Sequence, residues 1–325
     1  MKHPRIRIDV IQVSCLLLAG VIFFSLAKIP EAHASNGNAQ LIPLYENSGL
    51  STFSSDWENA CSQAPANSFI IEDRTTEGAI DPSSVADGPP NTSEQYDGYT
   101  ADSNLSTVMS NCYDQGDTQG VLGYVNTWNY ATNSYIPWEN TSDPYDPNTV
   151  KGQINLWYAL YPGELAGIFF DSVQPQDTST NKNYYRTAAA YVHNNKSPDN
   201  EVVFNFGSDY GTDDWSLSSS IDANDADIDV VFEGCYSGCS SGDNLTTWVG
   251  SGTWSPKWEL NYPSDYFAAL VYDTDSSNIS DVCSALFSAP SGSNTNYYIT
   301  NEDLPNPWAT FISSTYESSE TSSCQ

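Results

Sequence analysis

Eight short apolar segments follow one another along the chain, and longer stretches with helical periodicity separate most of them. Short apolar runs bounded by turn residues are typical of strands that are covered on both faces. The segments are Leu41–Tyr45, Ser68–Glu72, Val121–Asn126, Ala166–Asp171, Glu201–Asn205, Ile228–Glu233, Ala268–Tyr272 and Tyr297–Thr300. The helical patterns are Ser54–Ala64, Ser103–Gln115, Thr149–Leu160, Tyr184–Asn194, Asp214–Ile221 and Ile279–Leu286. This alternation predicts parallel strands with right-handed crossovers, and eight such units predict an α/β fold of the (β/α)8 TIM-barrel type.

An open, doubly wound sheet is the alternative architecture. It is expected to carry a glycine-rich phosphate loop after the first strand, and the Tyr-Glu-Asn-Ser-Gly segment at 45–49 is not such a loop. The chain also lacks a G-x-x-x-x-G-K-[ST] motif and a G-x-G-x-x-G motif after a strand. The barrel is therefore favoured, and we expect no nucleotide or other organic cofactor.

The N-terminus has the three parts of a secretion signal. Basic residues at positions 2, 5 and 7 precede the mostly apolar stretch Val10–Leu26, and Ala32-His33-Ala34 is a small-x-small cleavage site. We predict a signal peptide at 1–34 and a single catalytic domain at 35–325. The mature protein is then secreted to the extracellular space, the periplasm or the cell surface.

No segment of eighteen consecutive apolar residues follows the signal, so the mature chain is not expected to span a membrane. A retained N-terminal anchor is the alternative to cleavage. We expect the mature protein to be a monomer.

The chain carries a formal net charge of −31. Cleavage removes four basic and two acidic residues, which changes this charge to −33. Such a field repels nucleic acid and anionic lipid and attracts cations. The acidity indicates either a polycationic substrate or adaptation to an acidic or salty exterior.

Six of the seven cysteines remain after the signal, which contains Cys15. An even number in a secreted chain indicates three disulfides. Pairing neighbours in sequence gives Cys61–Cys112, Cys235–Cys239 and Cys283–Cys324. The short Cys235–Cys239 spacing could instead form a metal or redox pair, but no second ligand pair exists. His193 is the only histidine of the mature chain, so a His-rich zinc site is excluded and we expect no metal.

Two of the apolar segments end at a carboxylate, Asp171 in the fourth and Glu233 in the sixth. Burying a carboxylate is costly unless it has a partner or a task. Paired carboxylates are what glycosidic-bond hydrolysis requires. The structural alternative is that Asp171 caps a helix and Glu233 forms an ion pair. The next helical pattern begins about a dozen residues after Asp171, which weakens the capping interpretation.

The active site of a barrel lies at the carboxyl ends of its strands. Those ends and the loops after them are acidic, amide-rich and aromatic, and such groups bind sugar rings, hydroxyls and ammonium groups. The predicted substrate-binding residues are Tyr45, Asp73, Asn126, Trp128, Ser172, Asn205, Tyr236 and Trp258. The crossover after the sixth segment, with Trp248, Trp254 and Trp258, is a candidate substrate-facing loop. For each aromatic residue, ordinary packing is the alternative.

Several segments together resemble spherulation-specific family 4, the spherulin-4-like proteins. They are LIPLYENS from Leu41, GVLGYVNTWNY from Gly120, LAGIFFDS from Leu165, VVFNFGSDY from Val202, DVVFEGCY from Asp229, FAALVYD from Phe267 and YYIT from Tyr297. The resemblance covers nearly the whole mature chain in order. It implies a (β/α)8 glycoside hydrolase that cleaves galactosamine or N-acetylgalactosamine chains of microbial exopolysaccharides internally, at α-1,4 linkages.

The resemblance also implies which carboxylates are catalytic. Asp171 matches the first acid of the family's F-D-E motif after strand four, and Glu233 matches the acid of strand six. The second acid of F-D-E is Ser172 here, and a hydroxyl cannot replace a carboxylate in acid–base chemistry. The turns after strands two and five, at 72–78 and 205–207, also depart from the family pattern, so the exact glycan stays open.

We expect Asp171 to act as the ionised nucleophile or transition-state stabiliser and Glu233 as the general acid. Strands two positions apart would place the two carboxylates about 5–6 Å from each other, which suits a retaining mechanism. Two alternatives remain open. One is a catalytically weak glycan-binding protein, which Ser172 favours, and the other is a structural protein of the cell surface.

Overall fold

Eight parallel strands close into a barrel in this computed structural model of the protein. The structure describes residues 39–46, 48–73, 100–115, 118–176, 178–196, 198, 200–207, 226–239, 243–250, 266–287, 296–304 and 306–324. The strands are β1 (Ala39–Pro43), β2 (Ser68–Glu72), β3 (Thr118–Asn126), β4 (Leu165–Asp171), β5 (Glu201–Asn205), β6 (Ile228–Cys235), β7 (Phe267–Tyr272) and β8 (Asn296–Ile299). Each strand pairs in parallel with the next, and β8 pairs with β1. The predicted (β/α)8 fold is confirmed.

Helices connect most of the strands. They are α1 (Phe53–Gln63), α2 (Ser103–Gln115), α3 (Val150–Leu160), α4 (Ser179–Asn195), α5 (Leu245–Gly250), α6 (Ile279–Phe287) and α7 (Ser314–Cys324). The helix predicted at Asp214–Ile221 lies outside the described residues. Within the described ranges, no helix is both long enough and apolar enough to cross a membrane.

The strands are buried along most of their length because the barrel interior covers one face and the helices cover the other. Every residue of β1, β2, β7 and β8 is buried. This double burial explains why the strands read as continuous apolar runs rather than as alternating patterns.

Three strands differ by more than one residue from their predicted bounds, and one of them, β3, begins at Thr118 rather than at Val121. β1 begins at Ala39 and ends at Pro43, whereas the sequence placed it at Leu41–Tyr45. β6 continues two residues beyond Glu233, because Gly234 and Cys235 stay in register with Val271 and Tyr272 of β7. Glu233 therefore lies two residues before the carboxyl end of β6 rather than at the last position of the strand.

The three disulfides join the same cysteine pairs that sequence neighbourhood suggested. Cys61–Cys112 links α1 to α2, and Cys283–Cys324 links α6 to α7, with Cα–Cα distances of 5.1 Å and 5.0 Å. Cys235–Cys239, at 6.0 Å between Cα atoms, closes the loop that leaves β6. Since Cys235 is the last residue of β6 and lies two residues after Glu233, the disulfide restrains the strand end that carries this carboxylate.

Candidate active site

Asp171, the last residue of β4, accepts three hydrogen bonds from protein side chains. Its Oδ2 accepts from the Tyr124 hydroxyl at 2.6 Å and from Ser172 Oγ at 2.9 Å. Its Oδ1 accepts from Asn205 Nδ2 at 2.7 Å. An ionised carboxylate can only accept hydrogen bonds, and this is the pattern that Asp171 shows. The surroundings of Asp171 thus fix its orientation and suit an ionised group.

The Asn205 side chain bridges Asp171 to Glu233. Asn205 ends β5, the strand between those of the two carboxylates, and its Nδ2 also donates to Glu233 Oε2 at 2.8 Å. Its Oδ1 accepts from the backbone N–H of Gly207 at 2.8 Å, which turns the NH2 group toward the acids. Because 2.7 Å and 2.8 Å add to 5.5 Å, Asp171 Oδ1 and Glu233 Oε2 lie no more than 5.5 Å apart.

Glu233 has a second donor, the indole of Trp308, whose Nε1 lies 3.2 Å from Oε1. Burial raises the pKa of Glu233 above its usual value, and the charge of Asp171 adds to this rise. The hydrogen bonds from Asn205 and Trp308 lower the pKa but do not cancel the increase. A glutamic acid that keeps its proton to higher pH than usual can serve as a general acid.

Trp308 lies in the segment between β8 and α7, and contacts from three directions hold it. Its carbonyl accepts from the Tyr45 N–H at 2.8 Å. Its ring centroid lies 6.1 Å from those of Tyr272 and Tyr298, at the ends of β7 and β8. The indole is buried, so its N–H donor has a fixed direction toward Glu233.

Tyr124 is positioned by packing on the outer face of β3. The Trp157 indole donates to the Tyr124 carbonyl at 2.8 Å. That approach needs glycine at position 123, since a Cβ atom there would lie 2.7 Å from the Trp157 ring. Burial raises the pKa of the Tyr124 hydroxyl well above 10, and the charge of Asp171 adds to it. Tyr124 therefore remains a hydrogen-bond donor to Asp171 over the whole range of ordinary pH.

Ser172 adopts a left-handed backbone conformation, with φ of +58°. Non-glycine residues rarely do so, and such positions are often found at functional sites. Here the turn directs Ser172 Oγ to Asp171, while the Ser172 carbonyl accepts from Gln174 Nε2 at 3.0 Å. A second hydroxyl, that of Tyr130, donates to Ser172 Oγ at 3.3 Å.

Two predicted binding residues lie on the β1–β2 side of the same barrel end. Tyr45 packs edge-on against Tyr124, with ring centroids 5.8 Å apart. Burial raises the pKa of Tyr45, and the charges of Asp171, Glu233, Asp73 and Glu72 raise it further. Asp73 is buried directly after β2, and its charge reaches Tyr45 and Tyr124. Tyr45 and Asp73 thus belong to the electrostatic neighbourhood of the two carboxylates.

Other predicted binding residues have local structural contacts. The side chain of Asn126 accepts from the N–H of Trp128 at 3.1 Å, and the Trp128 ring packs on Tyr135 at 5.0 Å. Tyr236 follows β6, and its backbone N–H donates to the Tyr272 carbonyl at 3.1 Å.

The predicted substrate-facing loop after β6 is only partly described. Trp248 lies in α5, is buried, and packs on Phe232 with ring centroids 4.8 Å apart. It therefore contributes to the core rather than to a cleft, because the helix turns its indole toward the barrel. Trp254 and Trp258 lie outside the described residues.

Sequence reasoning missed three residues at the site: Tyr124, Trp308 and Tyr130. Tyr124 could have been found, since it precedes Asn126 by two residues and alternate residues of a strand share a face. Trp308 and Tyr130 lie in irregular segments, where no periodicity indicates the direction of a side chain. In the ranges that the structure describes, no cluster of three His, Cys, Asp or Glu side chains could hold a metal ion.

Comparison with solved structures shows the same fold in one crystal structure. The crystal structure of Aspergillus clavatus Sph3 in complex with GalNAc matches with a TM-score of 0.57 and 17% sequence identity, covering 89% of this chain and 99% of that one. The pneumococcal StrH GH20 modules match with a TM-score of 0.41 and 9% identity, covering 89% of this chain and 84% of theirs. A comparison with curated protein sequences gives no match.

The family assignment comes from a sequence model. The model of spherulation-specific family 4 matches residues 41–320, a range that begins in β1 and ends in α7 and so includes the whole barrel. Asp171, Asn205 and Glu233 all lie within the match. The chain belongs to spherulation-specific family 4.

Proposed function

We propose that this protein is a secreted glycoside hydrolase that cleaves galactosamine- or N-acetylgalactosamine-containing exopolysaccharide at internal linkages. The observation that carries the proposal is the Asn205 bridge, which holds Asp171 and Glu233 in one site at the carboxyl ends of the strands. The family membership and the GalNAc complex of the Sph3 neighbour support an amino-sugar substrate.

The spacing of the two acids favours a retaining mechanism. Retaining glycosidases have carboxyl groups about 5–5.5 Å apart, whereas inverting ones leave about 6.5–9.5 Å for a water molecule. In the first step, Asp171 attacks the anomeric carbon while Glu233 gives its proton to the leaving glycosidic oxygen. In the second, Glu233 takes a proton from water, and the water oxygen displaces Asp171 from the sugar.

The hydrogen bonds divide these roles between the two acids. Tyr124, Ser172 and Asn205 all donate to Asp171, as a nucleophilic carboxylate needs. Burial and the nearby charge of Asp171 keep the proton on Glu233, as a general acid needs. No metal or organic cofactor takes part in this scheme.

We propose a polymer that carries positive charge, because the barrel end holds four acids: Glu72, Asp73, Asp171 and Glu233. Attraction between charges is screened over about 10 Å at 0.1 M salt. Affinity should therefore fall with added salt and with N-acetylation of the polymer. Equal affinity for a fully acetylated chain would leave adaptation to an acidic or salty exterior as the reason for the acidity.

We propose that residues 1–34 direct secretion and that the mature chain acts as a monomer outside the cell. Disulfides persist in oxidising compartments, and the three in this chain fit that location. N-terminal sequencing of the protein recovered from culture medium should begin at Ser35. An intact N-terminus in the membrane fraction would instead support the retained anchor.

The product-size profile on purified exopolysaccharide tests the proposed activity. Endo-cleavage should release a ladder of oligosaccharides and shorten the polymer early in the reaction. Release of monosaccharide alone would contradict internal cleavage, and the absence of any new reducing end would contradict hydrolysis.

A catalytically weak glycan-binding protein is the second candidate, and Ser172 is the observation that favours it. The family motif has an acid at this position, and here a hydroxyl contacts Asp171. Saturable binding of the polymer without new reducing ends would support this candidate over the hydrolase.

A further inference from the structure

Tyr130 is a large side chain that remains exposed near Asp171. It lies in the loop after β3, and 74% of its surface is accessible. Its hydroxyl nevertheless has a fixed partner, Ser172 Oγ, 3.3 Å away. Since Ser172 Oγ is 2.9 Å from Asp171 Oδ2, the Tyr130 hydroxyl lies no more than 6.2 Å from that carboxylate oxygen.

The backbone that presents Tyr130 is a short hairpin, formed by Trp128–Asn129 and Ser134–Tyr135. Asn129 Oδ1 accepts from the N–H groups of Ala131 and Thr132, at 3.0 Å and 3.1 Å, which fixes the turn that contains Tyr130. The ring is thus held by its backbone at one end and by its hydroxyl at the other.

Aromatic packing attaches this hairpin to α4. The Tyr135 ring lies 4.7 Å from that of Tyr184, and the Tyr184 hydroxyl donates to the Ile136 carbonyl at 2.6 Å. The Ile136 N–H in turn donates to the Thr127 carbonyl at 3.0 Å. A ring held in this way loses little conformational entropy when a ligand packs on it.

An exposed, prearranged aromatic ring near a candidate catalytic carboxylate suits the apolar face of a sugar. In galacto-configured sugars the axial 4-hydroxyl leaves the C–H groups of carbons 3, 4 and 5 on one face, as a continuous apolar patch. In gluco-configured sugars the hydrogen of carbon 4 points to the opposite face, so the patch is interrupted. An aromatic platform therefore favours the galacto configuration.

We infer that Tyr130 is a sugar-stacking residue that selects galacto-configured units on the Asp171 side of the cleft. This inference rests on the proposed function and adds a specificity-determining residue to it.

Binding in the Glu233→Gln background tests the inference without hydrolysis of the ligand. Isothermal titration calorimetry would measure Kd for α-1,4-linked galactosamine and glucosamine hexasaccharides. The proteins compared are the Glu233→Gln parent and the same protein with Tyr130→Phe or Tyr130→Ala added. Tyr130→Ala should raise Kd for the galactosamine ligand roughly 4- to 12-fold, the scale of a ring-stacking contact, and should raise Kd for the glucosamine ligand less. Tyr130→Phe should stay within about 3-fold, because the ring remains.

Leu50→Ala is the matched control. Leu50 lies in the β1–α1 loop and is 50% exposed, so this change also truncates an exposed apolar side chain. Its Kd should not change, and thermal unfolding of all variants should match the parent.

Two results would overturn the inference. One is a Kd of Tyr130→Ala for the galactosamine ligand within about 2-fold of the parent's, and the other is an equal loss of affinity for the galactosamine and glucosamine ligands. Absence of binding by the parent would overturn it as well. Turnover by the otherwise unmodified enzyme separates the two proposals. Tyr130-dependent binding without turnover contradicts only hydrolysis, and turnover with Tyr130-independent binding contradicts only the stacking role.

Discussion

Asp171 and Glu233 share one hydrogen-bond donor, the side-chain amide of Asn205, at 2.7 Å from Asp171 Oδ1 and 2.8 Å from Glu233 Oε2. Because β5 lies between β4 and β6, the closure of the barrel itself places an amide between the two acids. The distance between the carboxylates is therefore set by the middle strand as well as by their own strands.

Replacing Asn205 by Ala should remove this spacer and lower kcat. Loss of one preorganised donor in an active site costs about 10²–10³ in kcat. Steady-state kinetics on a galactosamine oligosaccharide would measure the effect, with thermal unfolding as the check on the fold. Wild-type kcat in a folded Asn205→Ala protein would show that the bridge does not support catalysis.

Trp308→Phe should move the basic limb of the pH–rate profile to higher pH. The indole N–H stabilises the charged form of Glu233, so its loss should raise the pKa of that acid. The general acid would then keep its proton to higher pH, and kcat/KM would decline later as the pH rises. Phe retains a ring against Tyr272 and Tyr298.

Trp57→Phe is the control for that change. Trp57 is buried in α1, where its ring packs near Phe53, and the same substitution there should leave the pH profile in place. An equal shift in both variants, or no shift in Trp308→Phe, would contradict the role assigned to Trp308.

Ser172→Glu tests whether the departure from the family motif limits the rate. If the missing acid is needed for efficient catalysis, Ser172→Glu should raise kcat by an order of magnitude or more, as general acid–base catalysis contributes about 10²–10⁴-fold. Ser172→Ala should lower kcat much less than Asn205→Ala, because Asp171 keeps its donors Tyr124 and Asn205. Ser172→Ala is the matched control for Ser172→Glu, because the residue at position 172 must adopt the same positive φ in both variants. A loss of rate in Ser172→Glu would indicate that Asp171 and Glu233 work as a pair in this chain.

Two buried acids on α7, Glu317 and Glu320, should make the free energy of unfolding depend on pH. Glu317 and Glu320 are buried there, Gln40 Nε2 donates to Glu317 Oε1 at 2.9 Å, and the Ile299 N–H donates to Glu320 Oε1 at 2.8 Å. Burial raises the pKa of both carboxyl groups, and the charge of Glu317 raises the pKa of Glu320 further. Burial raises the pKa of the Tyr297 and Tyr298 hydroxyls of β8, and the charges of Glu320 and Glu317 raise it further.

The folded state thus binds protons more tightly than the unfolded chain does. Stability should be greatest below the unfolded pKa of about 4.3 and should fall as the pH rises toward the raised folded values. Glu320→Gln keeps the acceptor for Ile299 and removes the charge. It should raise the free energy of unfolding at pH 7 by on the order of 1–3 kcal/mol and have little effect near pH 4. Denaturant titrations at the two pH values measure this difference, and an equal effect at both would contradict it.

The barrel could be predicted from the sequence because its strands are buried on both faces. Ala166–Asp171 and Glu201–Asn205 agree with β4 and β5 to within a residue, and the acids follow from where the apolar runs end. The (β/α)8 topology then places these ends together. In this way Asp171, Asn205 and Glu233 were all within reach of sequence reasoning.

Helix α7 could not be predicted, because its buried face is polar. Its sequence, STYESSETSSC, buries Tyr316, Glu317, Glu320 and Cys324, so two acids occupy positions where apolar residues are expected. Similarly, α4 begins at Ser179, five residues before the predicted start, because Thr178 Oγ1 accepts from the Asn181 N–H and caps it. Trp308 acts on Glu233 from 75 residues away, and no local pattern encodes that contact.

Turnover by Asp171→Asn and Glu233→Gln tests most directly whether these two acids catalyse hydrolysis. Both changes retain the shape of the side chain and remove ionisation or proton donation, so folding and polymer binding should change little. Each variant should lose several orders of magnitude in kcat on purified galactosamine polymer, since acid catalysis alone contributes about 10²–10⁴-fold. Near-wild-type turnover by one folded variant would contradict the catalytic role of the residue changed in it. Near-wild-type turnover by both variants would contradict the two-carboxylate mechanism.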